Sequence, residues 1–264
     1  MAEALKFSID GEIREAGEAF LPLPDDGLLR GDGVFEVARV YGGKPFALDL
    51  HFDRMERSAA TIELPLDRPG LERDAKNLIA SVDDPDFLIR LVQTRAGRRI
   101  LSIEELPVYT PTISLATVTY SPTVILNGVK SLSYAANMQV TRLARAAGAD
   151  EALFVRPDGV VLELPTSTIF WATDDGRLRT PALEAGVLDS ITRRKIVERL
   201  EVEQGEFPLE DLLAASEAFV ASTTREAHPV SRVDDREMPL VDGEQTRAAA
   251  AAFAAALAED LEAQ

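Results

Sequence analysis

The chain has 264 residues, 46% hydrophobic and 28% charged, enough for one large or two compact domains and too ordinary a mix for a disordered, collagenous or disulfide-stapled protein. Its 28 Lys and Arg against 45 Asp and Glu leave a net charge of −17, the opposite of a nucleic-acid binder's basic footprint. With no cysteine, two histidines (His51 and His228), no apolar run near the roughly 20 residues of a membrane span and no signal pattern in MAEALKFSIDGE, the composition points away from metal and membrane and toward a cytoplasmic protein.

Residues 4–14 read as a hairpin turning at Asp10-Gly11. Residues 34–41 (VFEVARVY) predict a strand, and Gly42-Gly43 turns the chain into 44–48. Residues 49–62 predict a helix with Leu50, Met55, Ala59 and Ile62 on one face and Asp49 as N-cap. A second amphipathic helix is expected over 70–82, then strands over 87–93 and 112–119. Beyond a linker, residues 134–147 predict a helix ending near Gly148, and 152–155, 160–164 and 168–172 a meander of strands. Helices over 190–200 and 209–216, a strand over 218–221 and an alanine-rich helix over 244–262 complete the chain. Strands mixed with segregated helices predict an α+β fold. Its expected parts are an N-terminal lobe over 1–119, a linker over 120–128 broken by Pro122 and Asn127-Gly128, and a C-terminal lobe over 129–264.

Five places carry residue types suited to chemistry. Lys130, beside Val129 and Leu132 ahead of a helix, is either a solvated surface lysine or one whose desolvated amine is free for Schiff-base formation. In LDSITRRKIVERL, Asp189 or Ser190 can cap a helix whose Ile191 and Thr192 amides would hold an anion; a plain surface helix fits the same letters. Ser222, Thr223 and Thr224 end a strand with three hydroxyls, phosphate donors or turn formers. Arg54 either reaches a phosphate or pairs at the surface with Glu56 or Asp53. Glu163 closes the strand VVLEL, either at an exposed edge or against a cation such as a protonated pyridine.

In this order the motifs resemble those of the class IV, or fold-type IV, pyridoxal-phosphate (PLP) aminotransferases. That family includes D-amino-acid and branched-chain aminotransferases, R-selective amine transaminases and aminodeoxychorismate lyase. The likeness runs from about residue 27 to residue 230. It rests on GDGVFEVARVYGGKPFALDLHFDRMERSA, VKSLSYAANM with GADEALFV, the strand ending in Glu163, VLDSITRR and VASTTREAHPV. The resemblance implies a small N-terminal α/β lobe, a larger C-terminal lobe with a barrel-like sheet and helices, PLP as cofactor, and a homodimer. It implies that Lys130 holds the cofactor and moves the proton, and that Glu163 pairs with the pyridine nitrogen. Tyr134 would neighbour the phenolic oxygen and Leu188 the ring, while Arg54, the Ile191 and Thr192 amides and Thr223 would cradle the phosphate.

The sequence also departs from the family pattern. Ser190 stands where glycine is usual, a strained choice if the backbone there is left-handed. LPTST (164–168) replaces a small Gly/Ser run ending in Asn, and Phe35 replaces a substrate-reaching tyrosine. VASTTREAHPV and GDGVFEVARVY are most similar to the D-amino-acid enzymes, so the favoured reaction moves an amino group from a D-amino acid or R-amine to a 2-keto acid. The alternatives are a branched-chain L-amino-acid aminotransferase and aminodeoxychorismate lyase, which releases pyruvate and 4-aminobenzoate; Glu36 and Val37, where lyases carry hydroxyls, speak against elimination. A cofactor-less binding relative is the reading from another class. Substrate-binding candidates are Phe35, Arg39, Arg98, Arg99, Thr224 and Arg225; Arg98-Arg99 is either a carboxylate clamp or a basic turn on an acidic protein.

Overall fold

The computed structural model describes residues 4–264, without the side chains of residues 4 and 5; residues 1–3, the start of the expected N-terminal lobe, lie outside the described residues. The chain divides into two compact units. One takes the chain up to Val108, Val129–Tyr134 and Glu259–Gln264; the other takes Tyr109–Gly128 and Ala135–Ala258.

The first unit contains strands β1 (Ala4–Ile9), β2 (Glu12–Glu15), β3 (Gly33–Tyr41), β4 (Lys44–Pro45), β5 (Phe87–Thr94) and β6 (Arg99–Glu104), with helices α1 (Asp26–Arg30), α2 (Leu48–Thr61) and α3 (Arg68–Ile79). They form one sheet in the order β2-β1-β6-β5-β3-β4, antiparallel throughout. The hairpin at Asp10-Gly11 forms as expected, with both residues at positive φ. Alternation along β3 sorts its side chains: Val34, Ala38 and Val40 pack with Phe52 and Met55 of α2 and Leu71 and Leu78 of α3. Phe35, Val37, Arg39 and Tyr41 therefore share the opposite face.

The start of α2 corrects the expected cap. Ala47 occupies the N-cap position at φ 50°, Asp49 lies in the first turn, and the Ala47 N–H donates to Asp260 Oδ2 at 2.9 Å. That partner is 213 residues away in sequence, so no local signal announces it.

The second unit contains β7 (Ile113–Thr119), β8 (Glu151–Val155), β9 (Thr168–Ala172), β10 (Leu178–Pro181), β11 (Val202–Gly205), β12 (Glu217–Ser222), β13 (Glu226–Val233) and β14 (Arg236–Glu237). Its helices are α4 (Ala135–Ala146), α5 (Ile191–Val197), α6 (Leu209–Leu213) and α7 (Glu244–Glu262), whose last turn counts with the first unit. The sheet order is β11-β10-β9-β12-β13-β7-β8, with β14 beside β13, and the pairs β10–β11, β13–β7 and β7–β8 are parallel. Trp171, Phe170 and Phe219 are sealed in its interior, with Phe170 and Phe219 stacked across β9 and β12 at 4.9 Å.

The expected meander forms only in its first half. Residues 160–163 bond back to 154–156, with the Arg156 N–H donating to Val160 O and the Leu162 N–H to Phe154 O, but β8 and β9 are separated in the sheet by β12, β13 and β7. Pro165 follows at once without a donor N–H, and a turn closes when the Leu164 N–H donates to Ser167 O at 2.8 Å. β8 also pairs in parallel with β7, a long-range choice that alternation cannot reveal. The whole is α+β, as the segregated pattern predicts, with short β10, β11 and α1 added.

Candidate active site

In the first unit, residues 129–134 lie along β3. The Phe35 N–H donates to Lys130 O at 3.1 Å, the Leu132 N–H to Gly33 O at 2.9 Å, and the Lys130 N–H to Ser58 Oγ at 3.1 Å. Gly33 permits this approach: a Cβ there would meet Leu132 Cδ1 at 2.6 Å and the Gln93 carbonyl at 2.7 Å. Lys130 Nζ is thereby held 4.4 Å from the Phe35 ring centroid and 5.8 Å from that of Tyr134. The two rings meet edge to face at 5.2 Å.

Arg54 does not make the alternative surface pair with Glu56 or Asp53. It is 5% exposed, and its Nε and Nη2 donate to Glu36 Oε1 and Oε2 at 2.7 and 2.6 Å. His51 Nδ1 lies 2.8 Å from the same Oε2. The reason is helical position: residues 51, 52, 54, 55, 58 and 59 form the buried face of α2. Arg68 takes the surface acids instead, Asp53, Glu56 and Glu72 each at 2.7 Å. Burial alone would push the Glu36 carboxyl up, but Arg54 and His51 outweigh it and hold the pKa at about 2. Burial pushes His51 down against the pull of Glu36, so its imidazole is neutral at pH 7 and Nδ1–H donates to the carboxylate.

Arg98 and Arg99, expected either as a carboxylate clamp or as a basic turn, both lie against acids. Arg99 Nε and Nη1 pair with Asp74 and Asp67, each at 2.8 Å, and Arg98 Nη1 pairs with Asp10 at 3.2 Å. Arg98 also lines a cavity of about 420 Å³ whose walls carry Asp10, Glu12 and Glu18 together with Arg14. These arginines form a basic turn neutralised by neighbouring acids. Arg39 lies over the Tyr41 ring at 4.2 Å, on the β3 face that also carries Phe35.

In the second unit, Glu163 Oε1 accepts from the Leu188 N–H at 3.0 Å. The turn that follows carries two buried hydroxyls, Ser167 Oγ and Thr168 Oγ1, with no hydrogen-bond partner among the described residues. Ser190 is the N-cap of α5 at φ −65° and ψ 133°, and its side chain accepts from the Arg193 N–H at 3.3 Å. An extended backbone suits serine, so the departure from glycine brings no strain. Ile191 and Thr192 are buried behind it. Thr223, Thr224 and Arg225 form the turn between β12 and β13. There Thr224 Oγ1 lies 2.8 Å from the Tyr109 hydroxyl, and the Arg225 guanidinium sits 3.8 Å over the Tyr109 ring.

Sequence reasoning missed Glu36 and His51 as anchors of Arg54, the Ser167 and Thr168 hydroxyls, and Tyr109. A lone acid on the inward face of VFEVARVY was the available sign for Glu36. Tyr109, in an irregular segment, offered none.

The family described as Amino-transferase class IV matches residues 33–233. The chain is 31% identical to the aminodeoxychorismate lyase of Bacillus subtilis, over 91% of this chain and 90% of that protein. It is 32% identical to a putative branched-chain-amino-acid aminotransferase of Methanocaldococcus jannaschii (88% and 89% covered) and 28% identical to a D-alanine aminotransferase of Bacillus licheniformis (92% and 95%). Among solved structures, a hypothetical aminotransferase from Mycobacterium tuberculosis in its PLP-bound form aligns with TM-score 0.86 and 26% identity, over 97% of this chain and 99% of that one.

Proposed function

This chain belongs to the class IV aminotransferases, enzymes that use PLP, and from that premise we propose that it moves an amino group from a D-amino acid or R-amine to a 2-keto acid. The observation that carries the reading is Lys130 Nζ set against the Phe35 and Tyr134 rings. The two rings hold the amine in one place beside β3, the positioning that imine chemistry requires. The D-preference rests on the likeness of VASTTREAHPV and GDGVFEVARVY to D-amino-acid aminotransferases.

The donor set fits PLP. Unpartnered buried hydroxyls beside Glu163 and amide donors at the start of α5 suit a ligand rich in acceptor oxygens. When bound, PLP supplies an electron sink for the charge left on the substrate's α-carbon. Lys130 Nζ holds the cofactor and moves the proton from that carbon. Glu163, oriented by the Leu188 amide, keeps the pyridine nitrogen protonated. Arg54, the Ile191 and Thr192 amides and Thr223 bind the phosphate; Tyr134 stands by the phenolic oxygen and Leu188 by the ring. Glu36, committed to Arg54 and His51, is not a proton donor for elimination, which weighs against the lyase. The protein acts as a cytoplasmic homodimer, and exposed Phe20 and Leu23 (78% and 73%) supply apolar surface for a second copy.

The visible spectrum of the holoenzyme tests this. Loss of the cofactor band with D-alanine and not with L-leucine is expected. The reverse assigns the branched-chain activity. A band unchanged by both, with pyruvate released from aminodeoxychorismate, assigns the lyase. Lys130→Ala should abolish both band and turnover while far-UV circular dichroism is unchanged; substantial remaining turnover overturns the role of Lys130.

A further inference from the structure

In a chain with 45 acidic residues against 28 basic ones, an arginine without a carboxylate partner needs a reason. Arg225 has no ion pair and no side-chain hydrogen bond among the described residues; its side-chain contact is the face of the Tyr109 ring. The acids whose charge reaches it are tied elsewhere. Asp150 Oδ2 accepts from the Ser114 N–H and Oγ at 2.8 and 2.7 Å, and Glu151 Oε1 accepts from Thr141 Oγ1 at 2.8 Å. Burial already pushes Arg225 down from its ordinary pKa, so the cation has shed water without gaining an anion. His228, whose ring lies 5.9 Å from that of Tyr109, is held neutral by burial and by Arg225 and adds no second charge.

The arrangement is built. Thr224 holds the Tyr109 hydroxyl, Tyr109 carries the guanidinium on its face, and the Arg225 N–H donates to Ser222 Oγ at 3.3 Å, fixing the turn. A guanidinium stacked by its face keeps its in-plane N–H fork for a planar, bidentate acceptor. Resting on the PLP transaminase reading, we propose that Arg225 takes the carboxylate of the substrate, so that the substrates are amino acids and keto acids and not simple amines. Thr223, assigned to the cofactor phosphate, stands two residues before Arg225, at most about 7 Å away between Cα atoms. The same short turn would thus carry a phosphate contact and an arginine with no acid of its own. Of the other arginines considered, Arg98 and Arg99 pair with acids, while Arg39 lies over the Tyr41 ring much as Arg225 lies over Tyr109; what singles out Arg225 is its place two residues after Thr223.

The test compares wild-type holoenzyme with Arg225→Gln and Arg225→Lys. Two readouts are used: half-reaction kcat/KM with D-alanine, D-glutamate and (R)-1-phenylethylamine, and calorimetric affinity for maleate, a carboxylate that cannot react. Arg225→Gln should lower kcat/KM for both amino acids and the maleate affinity by about 10- to 100-fold, the worth of a charge-assisted carboxylate contact. Arg225→Lys should fall between, and the amine should be unaffected or not be a substrate at all. Equal losses for D-alanine and D-glutamate assign the α-carboxylate; a loss for D-glutamate alone assigns the distal one. A loss shared equally by a reactive amine, or no loss anywhere, overturns the proposal. If the wild-type band responds to no amino donor, the transaminase reading fails, and the maleate affinities still decide the role of Arg225.

Discussion

Replacing Glu36 by Gln removes the charge that two buried partners share. Arg54 and His51 hold the Glu36 carboxyl at about 2 against an ordinary 4.5, and the group is sealed from solvent. At about 1.36 kcal/mol per pKa unit the shift corresponds to about 3 kcal/mol, in the range for breaking a buried ion pair on one side. Urea unfolding at pH 7 should therefore show Glu36→Gln less stable by about 3 kcal/mol. The folded-state pKa is depressed, so this stabilisation is present above the unfolded value of 4.5 and is lost as pH falls toward 2. In a His51→Gln background no imidazole titrates at the site. There the stability lost on adding Glu36→Gln should shrink by about 1 kcal/mol between pH 7 and about pH 3.5. A loss under about 1 kcal/mol at pH 7, or one that ignores pH in that background, would refute the buried-pair reasoning.

Gly33→Ala should cost about 1–3 kcal/mol in urea unfolding and weaken the cofactor band, because the new methyl group meets the Gln93 carbonyl at 2.7 Å and pushes the Lys130 segment off β3. Glu163→Gln should slow transamination by roughly 100-fold while PLP affinity, read by fluorescence titration, changes much less; parallel losses would assign Glu163 to binding alone. Light scattering should report a dimer for the wild type and a shift toward monomer for Phe20→Asp with Leu23→Asp, and an unchanged mass would remove that surface from the interface.

Period and punctuation made several elements legible: the Asp10-Gly11 hairpin, the strand carrying VFEVARVY, the helix bearing Arg54, and the terminal helix, whose observed bounds are Glu244–Glu262. These depend on nearest-neighbour sterics and on which face must leave water, and both are written locally. The order of motifs also pointed to the family, since the residues that meet a cofactor are constrained one by one. Short β10 and β11 carried too few residues for a period to show.

Tertiary structure alone decided pairing and charge. Residues 160–163 bond back to β8 as expected, yet the run does not pair onward with β9, which lies between β10 and β12. Asp260, not Asp49, meets the N–H at the start of α2. Arg54 and the Arg98-Arg99 pair offer the same guanidinium to a reader of the sequence, and Arg225 looks no different from them. Folding gave Arg54 a buried glutamate, Arg98 and Arg99 nearby aspartates, and Arg225 the face of a tyrosine with no ion pair among the described residues. Which charges surround each arginine depends on acids brought close from far along the chain, and the strength of each pair depends on how much water folding removes.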